Sequence, residues 1–434
     1  MQAVRRQGLR NRLKACVALV TLAACAGRAE VRDGGGGSGG AAAGNSGVSG
    51  NAGTAGAAAT PGEAGRAGDA GASRCERIAF VDPALEVAVR RELDVESGAL
   101  PPERVAAMES LEAPGVASFD GIECAVGLKR LISSDGGAMD AQPIGELRNL
   151  TLLSLGRQAF TTLEPLANLA SLETLYIRGT LVSARPEPLA RLPNLRGLDV
   201  GDNGVVDLRF LTGLAELESL DLSATIAGDF GQDDDLQGLG PLAALTRLKH
   251  LVASDSRISD LGPLARLTRL ERISVEQNQI ADLGPLAGSV GLTFLRLTAN
   301  RVTSLAPLAN HRALQTLHVD FNPLVEVGAL AGMPELVEFV ANNTEIADVT
   351  PLAGLSKLKS AVLSRTRIAD LRPLASAGIE RTDCPWLDVI ETPLDAASVA
   401  EAIPRLCGLG WVVSWGPIGD VEQCRDERCP LVPP

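Results

Sequence analysis

A repeat with a period of 22 residues constrains this chain more than any other feature of its sequence. The repeat follows the pattern L-x-x-L-x-L-x-x-(N/T/S), and most units start 22 residues after the previous one, with exceptions of 23, 31 and 26 residues. Self-similarity at such a period is the signature of a solenoid, in which each unit packs only against its neighbours. The composition agrees, because 45% of the residues are apolar but only 3% are aromatic. The units begin at Leu128, Leu150, Leu172, Leu195, Leu217, Leu248, Leu270, Leu292, Leu314, Leu336, Leu358 and Cys384.

Each unit predicts a short strand followed by a short turn. The L-x-L core alternates with period 2, so the strand buries one face, and stacked units pair their strands into one parallel sheet. The return leg, as in DLGPLARLTRL, has a proline at a first-turn position and predicts a 3₁₀ or single helical turn. The ninth position holds side chains that can bond backbone groups where the chain leaves the strand. These are Asn203, Asn278, Asn300, Asn322, Thr180, Thr225, Thr344, Thr366, Thr392 and Ser256.

The segment ISDLGPLARLTRLERISVEQNQIADLGPLA (258–287) resembles the 22-residue leucine-rich repeats of the bacterial internalin family. The resemblance covers roughly residues 78–415 and implies an α/β solenoid. Its expected form is a right-handed leucine-rich-repeat superhelix with a parallel sheet on the concave side and short 3₁₀ or helical turns on the convex side. It says little about the ligand.

Both ends of the repeats are expected to be capped, because end coils must be covered. The segment IAFVDPALEVAVRREL (78–93) looks like the helical cap that precedes internalin-type repeats, with Asp82 as N-cap and Pro83 at the first helical position. TPLDAASVAEAIPRLCGLGWVVSW (392–415) looks like a terminal α/β cap, a helix followed by an apolar strand over 411–415. The residues expected on the buried side of the first helix are Leu85, Val87, Val89 and Leu93.

The N-terminal segment predicts export and a lipid anchor. Residues 14–26 read KACVALVTLAACA, and the apolar run of ten residues in it would span about 15 Å, half of a hydrocarbon core. Together with its basic head, this run is typical of a signal peptide. The tetrad LAAC (22–25) resembles the bacterial lipobox, which implies cleavage before Cys25 and acylation of its sulfur. With alanine at position 26, a Gram-negative host would send the protein to the outer membrane. The alternative is a plain secreted protein.

The next segment predicts a flexible tether, and the net charge excludes a class of partner. Residues 26–73 are rich in Gly, Ala and Ser and lack aromatic residues, so they cannot offset the entropy of ordering. A coil of that length spans roughly 40 Å. The chain carries a net charge of −13, and removal of the five positive charges in residues 1–24 would make it more acidic. Such a surface repels phosphate backbones, so we expect no nucleic-acid partner.

The cysteines predict disulfides at the caps. Of eight, Cys16 would leave with the signal peptide and Cys25 would carry lipid, and the remaining six are an even number compatible with disulfides outside the cytoplasm. We favour the pairs Cys75–Cys124, Cys384–Cys407 and Cys424–Cys429. The last four cysteines allow three pairings, so only the first pair is well specified.

No motif in the sequence predicts catalysis, a metal site or a cofactor. There is no P-loop, dinucleotide fingerprint or HExxH, and GVSG lies in the tether. His250 and His318 occupy strands three units apart, at least ~14 Å, which is too far to share a metal ion. Asp229 and Asp233–Asp235 in the insertion could chelate calcium, but they lack EF-hand spacing, and a solvated acidic loop is the preferred interpretation.

The outward strand positions of the concave face are therefore the candidate site. Exposed aromatic residues and arginines on a rigid sheet are typical of protein-binding hot spots, and we favour the part from Arg272 to Phe321. The alternative for each residue is an ordinary solvent-facing position. The candidates are Tyr176, Arg178, Asp199, Asp202, Asp221, His250, Asp255, Arg272, Glu276, Phe294, Arg296, His318, Asp320, Phe321 and Trp386.

The sequence as a whole predicts a monomeric, non-enzymatic surface lipoprotein that binds a protein, or less readily a glycan, through its concave face. The alternatives are a structural envelope component without a dedicated partner and an enzyme whose site has no recognisable motif. The predicted layout is a signal peptide (1–24), lipidated Cys25 with a disordered tether (25–73), an N-terminal cap (74–127), about twelve repeats (128–392, with an insertion near 229–238) and a C-terminal cap with a cysteine-containing tail (393–434).

Overall fold

The computed structural model describes residues 75–76, 78–180, 185–205, 207–224, 238–377 and 383–424. Within these residues the repeats stack into an open solenoid with a long, mostly parallel sheet and short turns, as predicted. Cys16, Cys25, the tether, residues 229–237 of the insertion and Cys429 lie outside the described residues. The predictions for them, and the predicted domain boundaries, stay predictions.

Seventeen strands lie in the described residues, and fifteen of them form one sheet. Its neighbours follow chain order, and every pair is parallel except the last, β16 with β17. β3 and β5 form a separate two-stranded sheet. The strands are β1 Ser110–Glu112, β2 Arg130–Ser134, β3 Ala138–Met139, β4 Leu152–Gly156, β5 Ala159–Phe160, β6 Thr174–Tyr176, β7 Gly197–Asp199, β8 Ser219–Asp221, β9 His250–Val252, β10 Arg272–Ser274, β11 Phe294–Arg296, β12 Thr316–His318, β13 Glu338–Val340, β14 Ser360–Val362, β15 Trp386–Ile390, β16 Val412–Gly416 and β17 Glu422–Cys424.

The return legs are 3₁₀ turns or single helical turns, as predicted. The helices are α1 Pro83–Leu93, α2 Pro102–Ala106, α3 Gln142–Gly145, α4 Arg372–Ser376 and α5 Ile403–Gly408, the last preceded by a π-helical turn over Ser398–Ala402. The 3₁₀ turns are Ile122–Cys124, Glu164–Asn168, Glu187–Arg191, Arg209–Gly213, Gly240–Ala244, Gly262–Arg266, Gly284–Leu286, Ala306–Leu308, Gly328–Gly332 and Thr350–Leu352.

The core consists of rows of apolar side chains that run from coil to coil. In β9 to β13 the middle residue of each strand is fully buried and its two neighbours are partly exposed, which is the alternation that the sequence predicts. Burying one such side chain contributes about 2 kcal/mol, and the contribution recurs in every coil. The row is Leu251, Ile273, Leu295, Leu317 and Phe339.

The ninth-position asparagines link each coil to the one before it. The Nδ2 of Asn300 donates to the carbonyl of Val275 in the preceding coil at 2.9 Å and to that of Leu297 in its own coil at 3.0 Å. Its Oδ1 accepts from the backbone N–H of Ile280 at 2.9 Å. Thr344 instead donates only within its own coil, to Ala341 at 2.8 Å. Asparagine therefore carries the inter-coil ladder, which threonine does not continue there.

The eighth position of every unit has a left-handed backbone, a feature that the sequence pattern does not reveal. Its φ lies between 50° and 61° in all twelve units. The chain turns out of the strand at this point, so the conformation is imposed by the coil and not by the residue type. The twelve residues are Asp135, Arg157, Gly179, Asp202, Ala224, Asp255, Gln277, Ala299, Phe321, Asn343, Arg365 and Glu391.

Aspartates start many of the 3₁₀ turns. Asp260 Oδ1 accepts from the backbone N–H of Gly262 at 2.7 Å, and Asp282 Oδ1 accepts in the same way from Gly284. An aspartate that bonds the backbone two residues on fixes a tight turn locally. The D in the repeated DLGPL segments is thus the residue that begins each convex turn.

The N-terminal cap contains the predicted helix. Asp82 accepts from the Ala84 N–H at 2.7 Å as the N-cap, and Pro83 is the first helical residue. Leu85, Val89 and Leu93 are buried as predicted, but the prediction for Val87 is wrong, because Val87 is 54% exposed and Ala88 is buried instead. At 3.6 residues per turn, position 87 points about 160–200° away from positions 85 and 89.

Disulfides join the caps, and one predicted pairing scheme is wrong. Cys75 and Cys124 are bonded as predicted. Cys407 is bonded to Cys424, which contradicts the pairs Cys384–Cys407 and Cys424–Cys429; Cys384 is disulfide-bonded as well. The reason is β17, which folds back antiparallel on β16 and brings Cys424 to a Cα–Cα distance of 6.1 Å from Cys407 at the end of α5.

Hydropathy gives one further result. Across the described residues we find no helix of the length and apolarity needed to cross a bilayer.

Candidate binding surface on the concave sheet

The predicted concave face consists of the third, fifth, seventh and eighth residues of each unit. Strand alternation turns the fourth and sixth residues into the core, so their neighbours project outward. In β10, for example, Ile273 is buried while Arg272 and Ser274 are partly exposed. Adjacent strands are in register unit by unit, so Arg272 stands beside His250 on one side and Phe294 on the other. The predicted candidates thus lie on one surface, and seven of them form two separate clusters.

The first cluster is centred on Arg178 and is defined as the Arg178 cluster (Arg178, Asp199, Asp202 and Asp221). Arg178 Nε lies 3.2 Å from Asp199 Oδ2, and its Nη1 lies 2.9 Å from Asp202 Oδ2. The same guanidinium is paired with Asp221, two coils away. The guanidinium of Arg178 is therefore paired with three carboxylates, and the cluster carries a surplus of negative charge.

Gly201 makes this reach possible. A Cβ added at Gly201 would lie 2.6 Å from Cζ of Arg178, closer than a carbon can approach. Without a side chain at this seventh position, the guanidinium lies across its coil and contacts Asp221 beyond it. Any larger residue would displace Arg178.

Burial and neighbouring charges shift the ionisation of this cluster. Burial, together with the charge of Asp221, raises the pKa of Asp199 to about 6, although Arg178 opposes the shift. Burial also raises the pKa of Tyr176, with a smaller contribution from Asp199. The pKa of Arg178 is raised because Asp199 and Asp221 outweigh its partial burial.

The second cluster is a phenylalanine between two arginines, defined as the ring cluster (Arg272, Phe294 and Arg296). The guanidinium carbon of Arg272 is 4.0 Å from the centroid of the Phe294 ring, and that of Arg296 is 5.1 Å from it. Both distances are within the range of cation–π attraction. Burial and the charge of Arg296 lower the pKa of Arg272, so the two neighbouring cations repel each other.

The two arginines of the ring cluster differ in their partners. Arg296 Nη1 lies 3.7 Å from Glu276 Oε1, but its Nε is buried and has no hydrogen-bond partner among the described residues. Arg272 has no carboxylate within 4.0 Å in the described part of the chain. The ring holds Arg272 in place, and no acid neutralises it.

Histidines flank the ring cluster on both sides. His318 Nε2 lies 3.4 Å from Glu338 Oε1, an acid that the sequence prediction overlooked although it occupies a third position. The proximity of His318 lowers the pKa of Glu338. His250 Nε2 lies 3.9 Å from Glu271 Oε2, and burial lowers the pKa of His250.

The remaining candidates do not join either cluster. Asp320 accepts from the Thr298 hydroxyl at 2.9 Å in the seventh-position row. Phe321 is 56% exposed and has the left-handed backbone of the eighth position, which is costly for a bulky side chain. Trp386 is on β15, three strands beyond His318, and Asp255 is exposed at its own eighth position. The described residues contain no group of three potential metal ligands.

Comparison with known proteins identifies the fold. A family model of leucine-rich repeats (two copies) matches residues 246–288, and no curated protein matches the chain. Internalin InlF of Listeria monocytogenes is similar in structure, with 26% identity, a TM-score of 0.60, and coverage of 77% of this chain and 88% of that one. The chain thus has leucine-rich repeats and resembles Listeria internalins in structure.

Two further solved structures share the fold. The functional domain of InlJ from Listeria monocytogenes is 19% identical with a TM-score of 0.58, and the match covers 76% of this chain and 78% of that one. The plant peptide hormone receptor RGFR1, solved in complex with RGF2, is 17% identical with a TM-score of 0.55, and the match covers 74% of this chain and 54% of the receptor.

Proposed function

We propose that this chain is an exported lipoprotein, anchored through Cys25, whose solenoid binds a protein partner through the concave face. The ring cluster is the observation that carries the proposal. It places an aromatic side chain and two arginines side by side on a rigid sheet, and these residue types dominate the energetics of protein interfaces.

The composition of the rest of the face supports the same function. Phe321 exposes 56% of its surface in a backbone conformation that asparagine or glycine would adopt at lower cost, so stability does not explain its presence. The plant receptor of this fold was solved with a peptide hormone bound, which is consistent with a polypeptide ligand here. A protein partner is therefore preferred to a glycan.

A capture experiment tests the proposal. The full-length chain, purified in mild detergent, is immobilised and exposed to surface and secreted proteins of the cells that produce it and of cells that they meet. A specific partner should be retained by the wild type and lost on Phe294→Ala or Phe321→Ala. The matched control is Arg266→Ala, which lies in a convex 3₁₀ turn and should retain the partner.

Two results would contradict the proposal. Retention of the same partner by both concave variants would place the binding surface elsewhere. Turnover of a substrate that is insensitive to the concave variants would instead support an enzyme.

A further inference from the structure

Arg272 is the feature of the concave face that the protein's own contacts leave incomplete. Its guanidinium has five N–H donors, yet its side chain forms no hydrogen bond or ion pair within 4.0 Å in the described residues. Arg178 on the same face has three carboxylates, and Arg296 has Glu276 at 3.7 Å. The three arginines thus share a surface but differ in their supply of negative charge.

The position of Arg272 is fixed before any ligand arrives. The guanidinium carbon of Arg272 lies over the Phe294 ring, 4.0 Å from its centroid, and no hydrogen bond within the described residues occupies its N–H groups. Phe294 is itself held in β11, paired in register with β10. Because the planar guanidinium is already oriented, a ligand loses less entropy when it binds there.

The charges around Arg272 select a ligand of a particular charge. His250 lies on the preceding strand in register with Arg272, but burial lowers its pKa, so Arg296 at the Phe294 ring is the neighbouring cation at neutral pH. Glu271, Glu276 and Glu338 stand at the outer limits of this surface, each near one of its basic side chains. Arg272 is the arginine of this surface without a carboxylate partner in the described residues, which suits a singly charged carboxylate.

Phosphate fits less well. A phosphoryl group carries nearly two negative charges at neutral pH, more than the single charge of Arg272 balances. The net charge of −13 would also repel any highly anionic polymer before it reached this face. We therefore expect Arg272 to favour a ligand segment with one acidic side chain and little other charge.

Resting on the proposed function, we infer that Arg272 is the docking point for an Asp or Glu side chain of the partner protein. The guanidinium donates to the carboxylate with its free edge while Phe294 supports its face. Arg296, whose guanidinium carbon is 5.1 Å from the centroid of the same ring, contributes its charge, and its buried Nε is a further donor without a partner among the described residues.

The test uses a displayed library of random 12-residue peptides selected on the full-length chain in mild detergent. Enriched peptides should share an acidic residue, and a synthetic peptide with that residue changed to Gln should bind at least about tenfold more weakly, as expected for loss of a hydrogen bond to a charged group. Arg272→Gln should weaken binding of the acidic peptide by the same factor. Arg272→Lys keeps the charge but loses the fork geometry, and it should restore only part of the affinity.

A double-mutant cycle makes the assignment specific. If the peptide carboxylate contacts Arg272, the two Gln substitutions are not additive, and Arg272→Gln discriminates little between the acidic and amide peptides. Arg266→Gln removes the same charge from the convex side and should leave the affinity within twofold. Circular dichroism of each variant confirms that the solenoid is folded.

The outcomes separate this inference from the proposed function. Enriched peptides that are lost on Phe294→Ala but show no acidic preference, or an additive cycle, would overturn the role of Arg272 and leave concave binding intact. Tighter binding of a phosphoserine peptide than of the glutamate peptide would overturn the charge matching. If no peptide is enriched, the acidic-segment inference fails, while the capture experiment still decides the proposed function.

Discussion

Asp199 shows how one buried carboxyl makes stability depend on pH. Burial and Asp221 raise its pKa to about 6, above its value of about 4 in an unfolded chain. Between these pH values the folded state binds more protons than the unfolded state, so the free energy of unfolding falls as the pH rises. Asp199 therefore destabilises the fold at neutral pH, although it is paired with Arg178.

Asp199→Asn should remove this pH dependence. Asparagine has an oxygen that can still accept from the Gly201 N–H, which Asp199 Oδ1 does at 2.9 Å. Relative to the wild type, the variant should gain about 2 kcal/mol in free energy of unfolding between pH 4 and pH 7.5. Urea unfolding of both proteins at several pH values measures the difference, and a difference that stays constant with pH would contradict the prediction.

His311 makes the stability depend on pH in the opposite direction. It is fully buried in a row where neighbouring coils have Leu267, Ser289, Met333 and Leu355, and burial lowers its pKa, although the nearby carbonyls of Leu308 and Leu286 oppose this. The unfolded state then binds the proton more readily, so stability is lost as the pH falls below about 6.5.

His311→Leu should abolish that loss. Leucine already occupies the same slot in other coils, so the row has room for it, and no polar group needs a partner afterwards. Thermal unfolding at pH 5 and pH 7.5 should show a smaller decrease in Tm at the acidic pH than in the wild type. An unchanged pH dependence would mean that His311 does not titrate differently in the two states.

At the scale of the element, the asparagine ladder joins one coil to the next. Asn300→Ala would leave the Ile280 N–H without its partner in a buried position, and the Val275 carbonyl would keep only its bond from Asn278 Nδ2. The unpaired N–H costs about 1–3 kcal/mol and each lost bond to a carbonyl about 1 kcal/mol, so we expect a loss of about 2–4 kcal/mol in free energy of unfolding. Chemical denaturation measures it.

Threonine substitutions supply the control for the ladder. Thr344→Ala removes only one bond within its own coil, to Ala341, and should cost about 1 kcal/mol. Asn300→Thr should be intermediate, since threonine can restore the bond within the coil but not the one to the preceding coil. If Asn300→Ala and Thr344→Ala cost the same, the inter-coil bonds do not contribute as argued.

The strands could be predicted where the spacing of apolar residues repeats with a fixed period. Alternation around each L-x-L core predicted the strands and the outward positions of Arg272 and Phe294, and the structure confirms both. The prediction that Val87 is buried was wrong because an alternating spacing was applied to a helix. The contacts of Arg178 could not be predicted from the sequence. Its long side chain reaches over two coils, and its path depends on a glycine in between.

At the scale of the whole molecule, a solenoid distributes stability along its length, since each coil contacts only its neighbours. The ends of the solenoid are the hardest part to predict from the sequence, because they lie outside the repeats. The strand Glu422–Cys424 has no apolar alternation, so β17 was not foreseen, and with it the bond between Cys407 and Cys424. The Cys75–Cys124 bond was predictable because the two cysteines bracket a single cap.

The attachment of the molecule to a membrane is predicted to depend on Cys25 alone. The apolar run before it is half as long as a bilayer core, too short to span one. Cys25→Ala should therefore move the protein from the membrane fraction to the soluble fraction and abolish incorporation of a labelled fatty acid.

Cys16→Ala is the matched control for this prediction. It changes the other cysteine of the same segment, which the predicted cleavage removes, so the label and the membrane association should both persist. More than one acyl chain on a residue anchors a protein stably, so the difference between the two variants should be nearly complete. A Cys25→Ala protein that stays in the membrane fraction and keeps its fatty-acid label would show that the anchor lies elsewhere in the chain.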